Sequence, residues 1–453
     1  MIRPRVVIST FGSLGDLNPY VAIALELRHR GYEPVIATTP LYRDKITSLG
    51  LMFHPVRPDL PSYDRPEELE AMVRGAIDPM TGIRTIVGEL IMPYLRGIYD
   101  DLCQAVQGAA LLLSHPLPLV APIVAERTGV PWVSSVLAPM SLFSVYDPAV
   151  NAQMPWLHPL LKLSPALSRA SIHLVRRLSD RMLRPLYALR AELGLPPGPH
   201  PLIEGLHAPR AALALFSKLL VRDQRDWPRQ LRVTGFPYHD LRGRPGDPVD
   251  LPRGLRRFLE AGPPPLVFSL GSAAFWVAGD FFKQSIEAAV ALGQRAVLLV
   301  GDDRFLPRDP VSVGIAAYDY APYGALFPHA SVVIHHGGIG STAQVLRAGR
   351  PMLVVPIAHD QYDNAARVGA LGVARTLPRR RYQKRQVVSA LRALLEEPSY
   401  VERARTMAEE VRCERGTAAA VDIIEEVLAR GNLGHDRGRP GPRPGCTVSF
   451  YHP

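Results

Sequence analysis

Two stretches of this 453-residue chain bring together residue types that could do chemistry. One is Val332-Val333-Ile334-His335-His336-Gly337-Gly338-Ile339-Gly340-Ser341-Thr342, a β-branched run that enters three glycines and then a hydroxyl pair. Glycines let the backbone approach a ligand closely, and a helix N-terminus offers unpaired N–H groups to an anion. A His and a Ser or Thr hydroxyl at the same end add donors, so the chemistry on offer is phosphate binding. A tight turn capped by Ser341 would leave the same trace. The other stretch is Gly12-Ser13-Leu14-Gly15-Asp16, a glycine-rich turn with one carboxylate. An Asp in that place can cap a helix or take a proton.

Other chemically capable residues read more plainly. His115 beside Pro116 fits a packing or hydrogen-bonding histidine at a strand end, one that could also line a cleft. His54, His158 and His173 lack partners at metal spacing, and Asp302-Asp303 is no carboxylate metal site, so no metal is expected. The three cysteines (Cys103, Cys413, Cys446) exclude a disulfide scaffold and a zinc ribbon and fit a reducing compartment. The formal charge of +10 comes from 47 Arg against 5 Lys, scattered along the chain, and does not make a nucleic-acid footprint. The N-terminus has no signal-peptide pattern and no 18-residue apolar run occurs, so a soluble, cytoplasmic protein is expected.

The elements that must hold these residues follow from periodicity. Arg5–Thr10 reads as a strand, Asn18-Pro19 as the opening of a helix that Gly31 ends, and Pro34–Thr39 as a second strand, a β-α-β unit. Ala110–Leu113 and Trp132–Val136 add strands. Between 155 and 195, Leu160, Leu161, Leu163, Leu167, Ile172, Leu174, Val175, Met182, Leu183 and Leu189 recur at helical spacing, an insertion of helices largely accounted for by core packing. Residues 241–265 are rich in Pro and Gly and read as a linker. After it the alternation restarts, with strands at Leu266–Leu270, Ala296–Val300, Gly314–Ala317, Ser331–His335 and Met352–Val355 and a helix at Phe281–Leu292. The fold class is therefore α/β, two facing Rossmann-like, doubly wound parallel-sheet domains: 1–240 and 266–430, with a disordered tail at 431–453. Facing sheets bind ligands in the cleft between them.

Around the glycine-rich turn the sequence resembles the nucleotide-sugar glycosyltransferases of the GT-B fold, the UDP-glucuronosyl/UDP-glucosyltransferase superfamily. The matching elements are Tyr320-Ala321-Pro322, His336-x-Gly338-x-x-Ser341, Gly349-x-Pro351 and Asp360-Gln361. The resemblance implies that His336, Gly338, Gly340 and Ser341 cradle the donor diphosphate, with Ser272 of the Gly271-Ser272 turn beside them. It places Tyr320 and the Ala321 backbone at the nucleobase, and Asp360 and Gln361 on the hydroxyls of the donor sugar. At the ribose position the family carries Glu where this chain has Gln344, which leaves dTDP open beside UDP. Thr10 to Pro19 is similar to the Gly-Ser-x-Gly-Asp-x-x-Pro opening of bacterial and sterol members. That likeness makes Gly12, Ser13 and Gly15 the acceptor-side loop and Asp16 the general base. Asp226-Trp227-Pro228, Thr234-Gly235-Phe236-Pro237 and Ala358-His359-Asp360-Gln361 further resemble the rhamnosyltransferases of rhamnolipid synthesis.

The resemblance implies an inverting, metal-independent hexosyltransferase with no cofactor beyond its UDP- or dTDP-sugar co-substrate. A non-catalytic GT-B partner protein should have lost donor-site residues, and a nucleotide-sugar epimerase explains neither Asp16 nor the 155–195 helices. Asp360 disfavours a uronic acid, which favours a hexose or 6-deoxyhexose. On the acceptor side the apolar 155–195 helices, with Met140, Leu142, Phe143 and Tyr146, favour a lipophilic alcohol: a hydroxy-fatty acyl chain, a polyketide or a sterol-like compound. Arg176 and Arg177 could bring the protein to an anionic membrane.

Overall fold

In a computed structural model, which describes residues 3–61, 65–239, 250–271, 273–302 and 314–435, the chain forms two parallel sheets. The first has seven strands in the order β3-β2-β1-β4-β5-β6-β7. They are β1 (Arg5–Ser9), β2 (Glu33–Thr38), β3 (Met52–Pro55), β4 (Leu111–Ser114), β5 (Trp132–Val136), β6 (Ala212–Ala214) and β7 (Leu231–Val233). The second has six strands in the order β10-β9-β8-β11-β12-β13. These are β8 (Leu266–Ser269), β9 (Ala296–Leu299), β10 (Ile315–Tyr318), β11 (Val332–His335), β12 (Met352–Val354) and β13 (Ala374–Thr376). Central strands such as β8 and β11 are buried at every residue, as helix-covered parallel strands must be.

The strand order decides where ligands go. Within the first sheet β1 pairs with β2 on one side and β4 on the other; within the second, β8 pairs with β9 and β11. Connections leave in opposite directions at these two places, so a crevice opens beyond the carboxyl ends of β1 and β4, and another beyond β8 and β11. Asp16 and His115 follow β1 and β4; Gly271 and His336 follow β8 and β11.

Several boundaries differ from the sequence expectation. The first helix begins at Leu14, not at Asn18-Pro19, because Ser13 caps it and Asp16 completes a capping box; Pro19 lies inside it. The stretch read as linker contains a helix, Arg253–Glu260, and 240–249 lie outside the described residues. The last helix, Gly416–His435, runs past Gly431, where the tail was expected; residues 436–453 lie outside the description. It also returns to the first domain. Ala420, Val421, Ile424 and Val427 join the core of Val6, Leu17, Tyr20 and Leu27, and Arg30 pairs with Asp422 at 2.5 Å and Glu425 at 2.8 Å.

The two halves are further joined along the base of the cleft. Val136, Leu142 and Phe216 share one apolar cluster with Val267, Val333 and Ala365. Arg367 donates to Asp363 and to Asp147, both at 2.8 Å, and Asp363 accepts from the Val150 backbone N–H at 3.0 Å. Asp363 is 2% exposed and Arg367 11%, so this pair at the centre of the interdomain triad is shielded from water. Among the described residues no helix is long and apolar enough to cross a membrane.

Candidate active site

The acceptor-side turn is built by Gly12 and Ser13. Gly12 has φ +132°, and a Cβ there would meet Asp16 Oδ2 at 2.4 Å, so only glycine lets the carboxylate fold back over the turn. Asp16 Oδ2 accepts from the Ser13 N–H at 2.7 Å and from its hydroxyl at 2.9 Å, while the Gly15 N–H donates to Ser13 Oγ at 3.2 Å. One carboxylate oxygen is thus committed to the helix cap. The other, Oδ1, faces His115 Nε2 at 3.6 Å.

His115 is the residue whose role the sequence left undecided. It follows β4, is 6% exposed, and packs edge-on against Tyr20 with ring centroids 5.9 Å apart. Its Nδ1 accepts from the Leu117 N–H at 3.2 Å, which puts the ring proton on Nε2, toward Asp16. Burial pushes its pKa down to about 4 against the opposing pull of Asp16, so it is a neutral donor at physiological pH. Both plain functions, packing and hydrogen bonding, are fulfilled, and they aim the ring at the carboxylate.

The adjacent histidines after β11 differ completely. His335 is fully buried, accepts from the Gly337 N–H at 3.2 Å through Nδ1, and lies 3.4 Å from the Met352 sulfur through Nε2; burial pushes its pKa to about 3. His336 instead lies between two glycines. A Cβ at Gly271 would stand 2.5 Å from His336 Cε1, and one at Gly338 2.4 Å from its Nε2. Its Nδ1 is buried without a hydrogen-bond partner among the described residues, and burial holds it neutral, with a pKa of about 4. The helix Ile339–Ala348 opens beside it with Gly338 as N-cap, so the first-turn N–H groups of Ile339, Gly340 and Ser341 precede the first intrahelical donor, the Thr342 N–H to Gly338 at 3.0 Å. Nothing stands within 4 Å of a Cβ placed on Gly340, so this terminus opens into space.

The sugar-side pair sits at the start of the helix Gln361–Ala370, after β12. Asp360 Oδ2 accepts from Asn364 Nδ2 at 2.7 Å, and the same amide nitrogen donates to the Gly337 carbonyl at 3.0 Å, which ties this loop to the phosphate turn. Gln361 Oε1 accepts from the Ile357 and Ala358 N–H groups at 2.8 and 3.1 Å, so only its amide N–H groups are left to face a sugar. Burial pushes the Asp360 carboxyl up to about 7, and the charge of Asp16 adds to that push. Asp16 thus acts electrostatically on a loop of the other domain, across the cleft. His359, with φ +52°, donates its Nε2–H to the Ala76 carbonyl at 2.8 Å and pins the sugar loop to the first domain. In the sequence His359 is one residue of the Ala358–Gln361 motif; its left-handed backbone and its bond to the first domain are set by tertiary structure.

Other expected residues are placed unevenly. Ser272 lies outside the described residues. Ala321 is fully buried in the core beneath the loop, which leaves half-buried Tyr320 as the more accessible member of the pair. Gln344 is buried on the helix that begins at the phosphate turn. Met140 and Phe143 are half-buried after β5, and Phe143 has φ +49°. Core packing does not account for most of the 155–195 residues: Leu160, Leu163, Leu167 and Leu174 are exposed, because the helices Pro165–Asp180 and His158–Leu163 turn those side chains away from the body. A cavity of about 560 Å³ lined by Phe281, Ile357, Arg379 and Arg380 opens beside the carboxyl ends of β8 and β12, but none of the site residues expected from the sequence lines it. Among the described residues no group of three or more His, Cys, Asp or Glu is placed to hold a metal ion.

Comparison with known proteins agrees with this geometry. Residues 6–146 match the glycosyltransferase family 28 N-terminal domain, and residues 287–427 the erythromycin biosynthesis protein CIII-like C-terminal domain. The chain is 30% identical to O-mycaminosyltylonolide 6-deoxyallosyltransferase of Streptomyces fradiae over 96% of its own length and 100% of that protein. It is 26% identical to a sterol 3-beta-glucosyltransferase of Leptosphaeria maculans over 94% of this chain and 29% of the longer protein. Among solved structures it is similar in fold to the glycosyltransferase VinC, solved with dTDP (TM-score 0.67, 19% identity, 94% of this chain and 100% of that one).

Proposed function

The chain belongs to the glycosyltransferases of the GT-B fold, with a family 28 N-terminal domain and an EryCIII-like C-terminal domain, and we propose that it moves a hexose or 6-deoxyhexose from a dTDP- or UDP-sugar to a hydroxyl of a lipophilic small molecule, with inversion. The observation that carries this reading is the meeting of two turns from different domains. The Asp16 carboxylate is held at the turn after β1, and the glycine-rich turn after β11 is tied through Asn364 to Asp360, on a loop that His359 pins to Ala76 of the first domain.

In this mechanism the acceptor hydroxyl lies against Asp16 Oδ1, the oxygen not committed to the helix cap. As the oxygen attacks the anomeric carbon its proton passes to Asp16, and the bond from that carbon to the diphosphate breaks on the opposite face. His115 Nε2–H steadies the carboxylate in the orientation the transfer requires. The departing diphosphate gathers negative charge at the end of the Ile339–Ala348 helix, where the Gly340 and Ser341 N–H groups, the Ser341 hydroxyl and the neutral His336 ring supply donors. Charge neutralisation falls to these groups, and the reading is metal-independent. Asp360 and the Gln361 amide hold the sugar hydroxyls.

Of the two nucleotides, dTDP is the better supported. Gln344 replaces an acidic grip on a ribose diol, which deoxyribose lacks. The name of the Streptomyces relative specifies a 6-deoxyhexose, and VinC was solved with dTDP. Thermal-shift screening of matched dTDP- and UDP-sugars tests the assignment: dTDP-6-deoxyhexoses should raise the Tm most. Stabilisation by UDP-sugars alone would overturn the nucleotide, and a panel of hydrophobic alcohols left unmodified while free sugars were glycosylated would overturn the acceptor class.

A further inference from the structure

The helix Pro165–Asp180 is amphipathic the wrong way round for a helix that covers a core. Leu167, Leu174 and Leu178 fall on one face, seven and then four residues apart, and are 49%, 54% and 72% exposed. The polar side faces the protein. Ser168 is the buried residue of this helix and donates to the Leu161 carbonyl at 2.9 Å, Ser179 meets His200 at 3.2 Å, and Arg176 pairs with Glu204. The preceding turns add further exposed apolar side chains: Leu163 is 78% exposed and Trp156 68%. So many large apolar side chains presented to water on one short segment are the kind of feature that marks an interaction surface.

Charge identifies what it meets. Residues 154–184 hold six basic side chains (Lys162, Arg169, Arg176, Arg177, Arg181, Arg184) and one acidic one, Asp180. Among the described residues Arg176 alone of the six is ion-paired, and the other five are exposed. Two copies of so basic a face would repel one another, whereas a bilayer with anionic headgroups satisfies both features. Its acyl boundary takes the Leu face, its headgroup layer suits the Trp, and its negative potential attracts the arginines.

We propose that the segment 154–184 docks the protein on an anionic lipid surface, with the helix Pro165–Asp180 lying in the interface plane. This stands apart from the sugar-transfer reading and is measured with no donor or acceptor present. The full chain is floated with phosphatidylcholine vesicles with and without phosphatidylglycerol, and the Trp emission is followed. The expected result is flotation with the anionic vesicles only, reduced by salt, with a blue shift that Trp156→Phe abolishes. Leu174→Gln/Leu178→Gln and Arg177→Gln/Arg181→Gln, all at exposed positions, should each weaken vesicle binding about tenfold or more while the Tm stays that of the parent. Failure of the parent to float with anionic vesicles, or equal flotation of parent and variants, overturns the proposal. So does a concentration-dependent dimer that the Leu174/Leu178 variant dissolves, which would make a second copy the occupant.

Discussion

Asp360→Asn separates what the sugar loop costs from what it does. The Asp360 carboxyl is carried from its ordinary 3.8 to about 7 by burial. At 1.36 kcal/mol for each tenfold in affinity for the proton, holding it ionised would cost the folded state roughly 4 kcal/mol, and about 2 kcal/mol after allowance for its partial exposure. The sign follows from proton counting. Between pH 4 and 7 the folded chain holds this proton and the unfolded chain does not, so stability falls as pH rises through that window and then levels off. Asn has no charge to desolvate and can still accept from Asn364. The variant should match the parent near pH 4 and exceed it at pH 8 by about 2 kcal/mol, roughly 4–8 °C in Tm for a domain of this size. Its transfer rate should fall at every pH, because a hydrogen-bond acceptor for the sugar is lost. Paired thermal melts from pH 4 to 9, with single-turnover transfer assays, check both halves. A Tm difference that stays flat with pH would refute the desolvation argument, and undiminished transfer would remove Asp360 from the sugar site.

Asp16→Asn should lower kcat roughly 10²- to 10⁴-fold while calorimetry shows donor binding intact, since Asn can still accept the Ser13 cap bonds but cannot take a proton. His115→Gln should lower kcat without weakening the donor, and unchanged turnover would reduce His115 to a packing residue beside Tyr20. Ser341→Ala removes one hydroxyl donor at the diphosphate turn and should weaken donor affinity about tenfold with little change in Tm, as read by calorimetry with dTDP. Arg367→Met strands the buried carboxylate of Asp363 between the domains and should destabilise the fold by about 3–5 kcal/mol, as measured by denaturant unfolding.

The alternation of β-branched runs with helical periods carried the fold class, because parallel strands covered on both faces must be apolar throughout and must return through helices. Strands β1, β2, β4, β5 and β8 to β12 were legible on that ground. The edge strands β3, β7 and β13 were not, since Met52–Pro55, Leu231–Val233 and Ala374–Thr376 are short and partly exposed and leave little periodic signal. The three buried residues of β6 were too few to show a period.

The candidate site divides in the same way. Gly338, Gly340, Ser341, Asp360 and Gln361 stood out because their types and spacing are local properties of a turn and a helix start. The resemblance, counted back from Ser341, singles out His336 and not His335, and the structure adds the physical reason: His335 ends β11 inside the core, and one residue along the chain reverses the side chain toward the turn. Tertiary structure alone brought His115, 99 positions away in the chain, to within 3.6 Å of Asp16, through the pairing of β1 with β4. The apolar residues of 155–195 make the same point. Their helical period was plain in the sequence, but a period states only that one face is apolar. Whether that face turns toward a core or toward water is set by what surrounds the helix, and here the polar face took the bonds to the body.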